Sequence, residues 1–198
     1  MSRKVVILGA VALSLIGTAA NATSTPVTSI RITNALPSWL QVSEVIATQT
    51  GTGTDVALAS QGATASASSV YSAQSSADNA IDGVGPANYP NIYHSAGNDG
   101  SDYLLITLAG GFDLSSLTIL GRTDCCDDRD LYNYQLFNGT TLVGSGMLDA
   151  RNTAHSGSVE FAPGGAVPEP ASWALMLGGF GMVGGAMRSR RKVAVSFG

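Results

Sequence analysis

The chain has 198 residues, of which ten are basic and fourteen are acidic, so its formal net charge is −4 at neutral pH. Most of the basic residues stand near the ends, and residues 23–166 contain four arginines and no lysine against thirteen acidic residues. The net charge of −9 on this segment argues against nucleic acids or anionic lipids as partners. Its length suits one domain with a proper core, and its Asp-rich loops are compatible with calcium.

The N-terminal residues have the pattern of a secretory signal. Arg3 and Lys4 precede an apolar run over residues 5–16, and the small residues Ala20-Asn21-Ala22 follow it. A basic start, a short apolar stretch and an A-x-A site together favour a signal peptide over a buried core helix. We therefore predict an N-terminal signal helix within residues 1–22, cleavage after Ala22 and export of the protein.

The segment between the two ends is typical of short strands separated by turns. The apolar or alternating runs are SIRITNA, WLQVSEVIA, DVALAS, DYLLITL, SLTILG, YNYQLFNG, TTLVGSG and GSVEF. Clusters of Gly, Asn, Asp, Pro and Ser separate them, and none shows a sustained helical period. About eight short strands predict one all-β domain over residues 23–166, a jelly-roll β-sandwich. The Ser/Ala-rich stretch SQGATASASSVYSAQSSA has the composition of a linker.

The only two cysteines are adjacent, within GRTDCCDDRD at residues 121–130. Free thiols would be reactive outside the cell, and a zinc site would need further ligands at suitable spacing. An exported chain meets an oxidising compartment, so we expect a disulfide, either between two molecules or between the two neighbours. Arg122 and Arg129 flank the pair with planar donor groups that suit sugar hydroxyls or a carboxylate. Surface salt bridges to the nearby aspartates are the plainer interpretation.

The run R-T-D-C-C-D-D-R from Arg122 to Arg129 resembles the R-x-D-C-C-x-x-R signature of F-type lectins, the fucolectin family. Those proteins bind L-fucose on a jelly-roll domain of the galactose-binding-like, discoidin-type class. The family pattern includes an upstream histidine, and His94 stands 28 positions before Arg122. The segments DNAIDG at 78–83 and NIYH at 91–94 agree with the family context.

The resemblance implies a sugar site of three hydrogen-bonding side chains and a vicinal disulfide: His94, Arg122, Arg129 and Cys125–Cys126. The apolar edge of the sugar would pack on the disulfide, and Asp124 would orient the groups that bind the sugar. Tyr89 or Tyr93 would cover the methyl group of fucose.

The resemblance also implies a calcium ion beneath the binding loops. The family holds it with an Asn-Ala-Ile-Asp-Gly segment and with a glutamate in a final Cys-Glu-Val strand. Asn79 and Asp82 match the first part. Glu44 is the expected third ligand, and Glu160 is the alternative.

Glu44 belongs to the N-terminal run WLQVSEVIA, which with SIRITNA resembles the closing pair of strands in such domains. Circular permutation explains this order, since it is tolerated where the chain ends lie close together at the surface. The chain would then pass through DVALAS into the usual first strand, and the Ser/Ala-rich stretch would lie inside the domain. Ser43 takes the place of one cysteine of the family's structural disulfide.

The C-terminal residues contain Pro168-Glu169-Pro170, an apolar Gly-rich stretch over residues 173–187 and a basic cluster over residues 188–192. The apolar stretch of roughly 15 to 18 residues is marginal for a bilayer, which takes about 20. The basic residues favour a cytoplasmic C-terminal side. We therefore predict a transmembrane helix within residues 167–192 and a cytoplasmic tail over residues 193–198.

This order of features closely resembles the PEP-CTERM sorting signal of Gram-negative bacteria. The resemblance implies transient anchoring in the inner membrane, cleavage near the tripeptide by an exosortase-type protease, and release or transfer to the cell surface. Such systems usually accompany exopolysaccharide production, so the implied location is the cell surface or an extracellular matrix such as a biofilm. A plain anchor that leaves the domain tethered outside is the alternative.

The sequence as a whole thus predicts a non-catalytic, calcium-supported lectin. Its partners would be a fucosylated glycan or an exopolysaccharide, with the exosortase-type protease acting on it during export. The alternative is a structural surface or matrix protein whose sugar site is idle or takes another ligand, such as an acidic sugar. An enzyme is least favoured, because no catalytic triad order, metal-binding histidine pair or paired-carboxylate motif stands out.

Overall fold

Ten β-strands make up the sheets of residues 25–161, the part of the chain that the computed structural model describes. They are β1 (Val27–Asn34), β2 (Gln41–Val42), β3 (Glu44–Gln49), β4 (Thr64–Ala67), β5 (Tyr93–His94), β6 (Tyr103–Phe112), β7 (Leu114–Leu120), β8 (Leu131–Asn138), β9 (Thr141–Asp149) and β10 (Ser156–Glu160). The predicted signal peptide and the predicted sorting segment with its transmembrane helix lie outside the described residues.

Antiparallel pairing joins these strands into three sheets. A five-stranded sheet has the order β4-β6-β1-β8-β9, a three-stranded sheet has the order β10-β7-β3, and β2 pairs with β5. Ile30 on β1 pairs with Ile106 on β6 and with Leu136 on β8. All three are buried, whereas the next residue, Arg31, is only half-buried because neighbouring side chains point to opposite faces of a strand.

The two larger sheets bury a common core. Ile32 and Leu104 come from the five-stranded sheet and Val45, Leu117 and Ile119 from the three-stranded one, and all five belong to a single buried cluster. Full burial of each such side chain contributes about 1.5–3 kcal/mol. The all-β prediction is confirmed for the described residues, all of which fall within one compact unit, Thr23–Gly164. A helix of sufficient length and apolarity to span a bilayer is not found within residues 25–161.

The predicted strand DVALAS at residues 55–60 is wrong. This segment makes a single bridge, between Asp55 and Thr48, and then turns away from the sheet. The reason is local: Oδ1 of Asp55 accepts hydrogen bonds from the backbone N–H of Ala47 at 2.9 Å and of Ala57 at 3.0 Å. The carboxylate thus takes the place of a partner strand.

The Ser/Ala-rich stretch, by contrast, is part of the fold. Thr64–Ala67 forms the edge strand β4, which pairs with β6. Further along, two short 3-10 turns lie at Ala73–Ser75 and Ala77–Ala80, and Ser75 and Ala77, at the end of the stretch, are buried. The stretch therefore continues the core instead of linking two folded parts.

The two ends of the described segment, residues 25–161, lie at one pole of the β-domain. Thr25 and Phe161 line the same small cavity of about 140 Å³, together with Leu136. Strand β1 leads away from this pole to Asn34, whose side-chain amide donates to the backbone oxygen of Arg129 at 3.1 Å. The loop that carries the cysteines is therefore at the opposite pole.

Gly146 on β9 makes a close contact that can be tested by mutation. A Cβ atom at this position would lie 2.5 Å from Oη of Tyr134, whose buried ring also packs against Phe161. We expect Gly146→Ala to lower the free energy of unfolding by about 1–3 kcal/mol in urea denaturation. Gly110→Ala is the control, because its Cβ would meet only the Phe112 ring at 3.8 Å. Equal losses in the two variants would contradict the predicted clash.

Candidate functional site

The cystine loop, residues 121–130, joins β7 to β8. Cys125 and Cys126 form a disulfide with each other, so the pairing that the residues alone left open is the one between neighbours. Both cysteines are half-buried. Cys126 has a left-handed backbone conformation with φ of 69°, and the 3-10 turn Asp127–Arg129 follows it. The disulfide thus lies where the loop turns, with Arg122 before it and Arg129 after it.

A second loop, residues 84–91, supports the cystine loop. The backbone N–H of Thr123 donates to the carbonyl of Ala87 at 3.4 Å, and that of Tyr89 donates to Oδ1 of Asp124 at 3.3 Å. The backbone N–H of Ala87 also donates to the buried hydroxyl of Ser43 at 2.6 Å. Ser43 therefore ties this loop to the core by a hydrogen bond.

Arg122 forms a bidentate ion pair with Asp124. Nε and Nη2 of Arg122 donate to the two carboxylate oxygens at 2.6 and 2.7 Å, and the guanidinium carbon lies 5.3 Å from the centre of the Tyr89 ring. The hydrogen bonds from Arg122 lower the pKa of Asp124 to about 2, so the pair is ionised at neutral pH. Nη1 of Arg122 has no hydrogen-bond partner among residues 25–161.

Arg129 differs from Arg122 because its guanidinium has neither an ion-pair nor a hydrogen-bond partner in the described part of the chain. It is half-buried and lies 4.7 Å from the centre of the Trp39 ring. Its backbone oxygen is the group bound by Asn34, so the position of Arg129 on the loop is fixed. An unpaired planar set of donors suits two adjacent hydroxyls of a sugar or a carboxylate.

Three aromatic rings surround His94 and form what we term the aromatic wall: Trp39, Tyr71 and Tyr89. The ring centres lie 4.8 Å from that of His94 for Tyr71, 6.0 Å for Tyr89 and 6.4 Å for Trp39. Tyr71 is 57% exposed and Tyr89 is 36% exposed, so the wall offers apolar surface to a ligand. Of the two tyrosines considered from the sequence, Tyr93 is fully buried and its hydroxyl donates to the carbonyl of Ser69.

Sequence reasoning missed Trp39 and Tyr71. Trp39 lies just before β2, and Tyr71 lies in the Ser/Ala-rich stretch, so neither is near the cysteine motif in the chain. The pairing of β2 with β5 brings Trp39 close to His94. An aromatic residue within a stretch of small polar residues was the one available signal for Tyr71, because such a stretch has little core of its own to bury it.

His94 lies at the centre of this cluster, but its two ring nitrogens face the protein. The side chain is 6% exposed; Nδ1 lies 2.8 Å from the backbone oxygen of Ser95, and Nε2 lies 2.9 Å from Nε2 of Gln41. Burial lowers the pKa of His94, and the positive charges of Arg122 and Arg129 lower it further. The histidine is therefore neutral at neutral pH.

Glu44 and Asp82 form an acid pair next to these loops. Glu44 is 3% exposed; its Oε2 accepts a hydrogen bond from the backbone N–H of Gly83 at 3.1 Å, and its Oε1 has no partner in the described part of the chain. Burial and then the charge of Asp82 raise the pKa of Glu44 to about 7. A buried carboxylate with an unpaired oxygen beside a second carboxylate fits a hard divalent cation.

Asn79 and Glu160, the other two residues considered as calcium ligands, are not part of the acid pair. The side-chain nitrogen of Asn79 donates to the carbonyls of Gln74, Pro90 and Ile92, and thereby ties two loop segments together. Glu160 is exposed at the end of β10 and pairs with Ser116 on β7, whereas Glu44 pairs with Leu120 on the same strand. No group of three or more His, Cys, Asp or Glu side chains that could hold a metal exists within residues 25–161. Backbone or water oxygens would have to complete the coordination.

Asp130, at the end of the cystine loop, is fully buried. Its Oδ1 lies 2.9 Å from Oη of Tyr132, and the Tyr132 hydroxyl also lies 2.6 Å from the backbone oxygen of Gln41. One hydroxyl proton cannot serve two acceptors, so the arrangement is complete only when Asp130 carries a proton. Burial raises the pKa of Asp130 to about 7, which agrees with this. Its other oxygen lies 3.9 Å from Nδ1 of His155.

Comparison with known proteins identifies one part of the chain. No curated protein and no solved structure matches the chain. The F-type lectin resemblance therefore stays a prediction from the motif. The PEP-CTERM protein-sorting motif matches residues 166–192, which confirms the sorting signal predicted at 167–192. The protein is thus an exported one that carries a PEP-CTERM signal for exosortase processing and sorting to the cell surface.

Proposed function

We propose that residues 25–161 form a non-catalytic lectin domain that binds a terminal deoxyhexose, with L-fucose as the first candidate. The ligand would be part of a glycan or polysaccharide at the cell surface or in the extracellular matrix. The observation that supports this most directly is the guanidinium of Arg129, which has no ion-pair or hydrogen-bond partner within residues 25–161 and lies 4.7 Å from the centre of the Trp39 ring, on the loop that carries the Cys125–Cys126 disulfide. Polar donors next to rigid apolar surface are what a sugar with one apolar edge requires.

In the proposed complex, Arg129 and Nη1 of Arg122 donate to ring hydroxyls of the sugar. The disulfide and Tyr89 receive its apolar edge and methyl group. Arg122 is held by Asp124 on one side and by the Tyr89 ring on the other, so little side-chain freedom is lost when it binds. In this arrangement the two arginines supply the hydrogen-bond donors, and the disulfide and the Tyr89 ring supply the apolar surface.

A circularly permuted jelly roll of the galactose-binding-like class is part of the same proposal. It is supported by the antiparallel sheets around one core and by the position of β3. That strand lies near the start of the chain, yet its Glu44 contacts the loop at Gly83 through a hydrogen bond. In such a domain calcium would be held by Glu44 and Asp82. The ion would neutralise the acid pair and stabilise the loop on which the cystine loop rests.

An acidic sugar is a second candidate ligand. A carboxylate fits an unpaired guanidinium at least as well as two hydroxyls do, and Arg129 has no carboxylate partner in the described part of the chain. The remaining alternative is a structural surface or matrix protein in which the same cluster binds no sugar.

Binding of fucose and of glucuronic acid by the full-length protein in detergent, measured by calorimetry, tests the proposal. We expect Arg129→Ala to weaken fucose binding at least tenfold, which corresponds to about 1.4 kcal/mol. Arg151→Ala is the matched control, because Arg151 lies outside residues 121–130 and its guanidinium is already taken up by a bidentate pair with Asp149. Equal fucose binding by both variants, or no binding of any fucosylated glycan by the wild type, would exclude the fucose site. Preference for glucuronic acid would favour the acidic ligand.

A further inference from the structure

We propose that Gln41, acting with the backbone carbonyl of Ser95, holds His94 as a neutral Nδ1–H tautomer, so that His94 supports the sugar site with its ring and gives the sugar no hydrogen bond. The proposal rests on the function proposed above and makes Gln41 a positioning residue of that site. It also assigns the hydrogen bonding of the sugar to the two arginines.

The tautomer follows from the partners of the two ring nitrogens. The backbone oxygen of Ser95, 2.8 Å from Nδ1, is an acceptor only, so Nδ1 must carry the proton. In a neutral ring Nε2 is then an acceptor. The side-chain NH₂ of Gln41, 2.9 Å away, is the donor that fills it.

Gln41 is held in this orientation by its surroundings. It is 1% exposed, it pairs with His94 across the β2–β5 ladder, and its backbone oxygen accepts the hydrogen bond from Tyr132. Its Oε1 has no hydrogen-bond partner in the described part of the chain. Turning the amide over would direct Oε1 at the lone pair of His94 Nε2, and two acceptors would then face each other. Leaving Oε1 without a hydrogen bond costs less free energy than placing two acceptors face to face.

The charged and titratable groups around His94 favour the same state. Arg122 and Arg129 from the cystine loop contribute positive charge, and the rings of Tyr71 and Tyr89 pack against His94. An imidazolium at this position would repel both arginines, and its Nε2 proton would meet an NH₂ group. A sugar hydroxyl could reach Nε2 only by displacing Gln41 from a buried site.

The protonation state of His94 can be read directly, because the chain contains only two histidines. The experiment uses full-length protein labelled with [¹⁵N]histidine in detergent, with His155→Gln to assign the signals. We expect His94 to show a protonated Nδ1 and an unprotonated Nε2 at about pH 7, and to keep both signals when fucose is saturating. Gln41→Glu supplies an acceptor to Nε2, so we expect it to convert His94 to the imidazolium by raising its pKa.

An Nε2–H tautomer or an imidazolium in the free wild-type protein at pH 7 would overturn the proposal. A large shift of the Nε2 signal upon addition of fucose would also overturn it, because it would show that the sugar displaces Gln41. If fucose does not bind at all, the proposed function fails, while the signals of the free protein still decide whether Gln41 sets the tautomer. The wild-type spectra suffice for this decision if Gln41→Glu does not fold.

Discussion

Raising the pH from 4 to 7 in the presence of a chelator is expected to lower the free energy of unfolding of this protein. Burial raises the pKa of Asp130 and of Glu44 to about 7 each. Between their unfolded and folded pKa values the folded state binds more protons, so the stability contributed by each protonated carboxyl is lost as the pH rises. The loss amounts to at most about 3 to 4 kcal/mol for each group. Guanidinium or urea denaturation at several pH values measures it.

Asp130→Asn separates the two contributions. The asparagine amide can donate to Oη of Tyr132 as the protonated carboxyl does, but it does not titrate. We expect this variant to lose about half of the pH dependence and to be more stable than the wild type at pH 7. Asp113→Asn, an exposed substitution between β6 and β7 and outside the cystine loop, is the control and should keep the wild-type dependence of the unfolding free energy on pH. If Asp130→Asn keeps the full pH dependence of the free energy of unfolding, Asp130 is ionised in the folded protein.

Calcium is expected to stabilise the protein at pH 7, and Glu44→Gln is expected to abolish this effect. The cation would bind the ionised Glu44 and Asp82, so binding should release a proton from Glu44, whose pKa is raised to about 7. At a calcium concentration of 100 times Kd the gain in the free energy of unfolding is about 2.7 kcal/mol. Chemical denaturation with and without calcium measures the gain, and calorimetry in two buffers of different ionisation enthalpy measures the proton release.

Glu160→Gln is the control for the calcium experiment, because Glu160 is an exposed glutamate outside the acid pair. This variant should respond to calcium as the wild type does. Loss of the response in Glu160→Gln but not in Glu44→Gln would place the ion elsewhere and remove the main support for the permuted arrangement. A wild-type protein that does not respond to calcium would mean that the acid pair binds no such ion.

The part of the candidate site that could be predicted from the sequence is the part that is local in the chain. Arg122, the cysteine pair, Asp124 and Arg129 lie within one loop, so their spacing alone places them together. The aromatic wall depends on strand pairing across the fold, and no local pattern encodes that. The role of His94 depends in the same way on the partner that β2 brings to it, Gln41.

The failed strand prediction and the overlooked burial of Asp130 have similar causes. DVALAS alternates like a strand, but the carboxylate of Asp55 satisfies the backbone N–H groups that a partner strand would have bound. Asp130 looks like one of several equivalent aspartates in an acidic loop, and only its position at the start of β8 makes it buried. Hydrophobic patterning thus predicted the core strands, whereas the polar side chains that bind backbone groups had to be seen in the structure.

The ends of the described segment lie far from the cystine loop. Thr25 and Phe161 line one cavity at the pole opposite that loop, so the chain enters and leaves the fold on the same side. A protein attached through the segment after Phe161 would be held from the pole opposite the cystine loop, so the attachment point would not cover that loop. In the proposed lectin, many copies at a surface would then engage a repetitive polysaccharide at many points, where high effective concentration compensates for weak single sites.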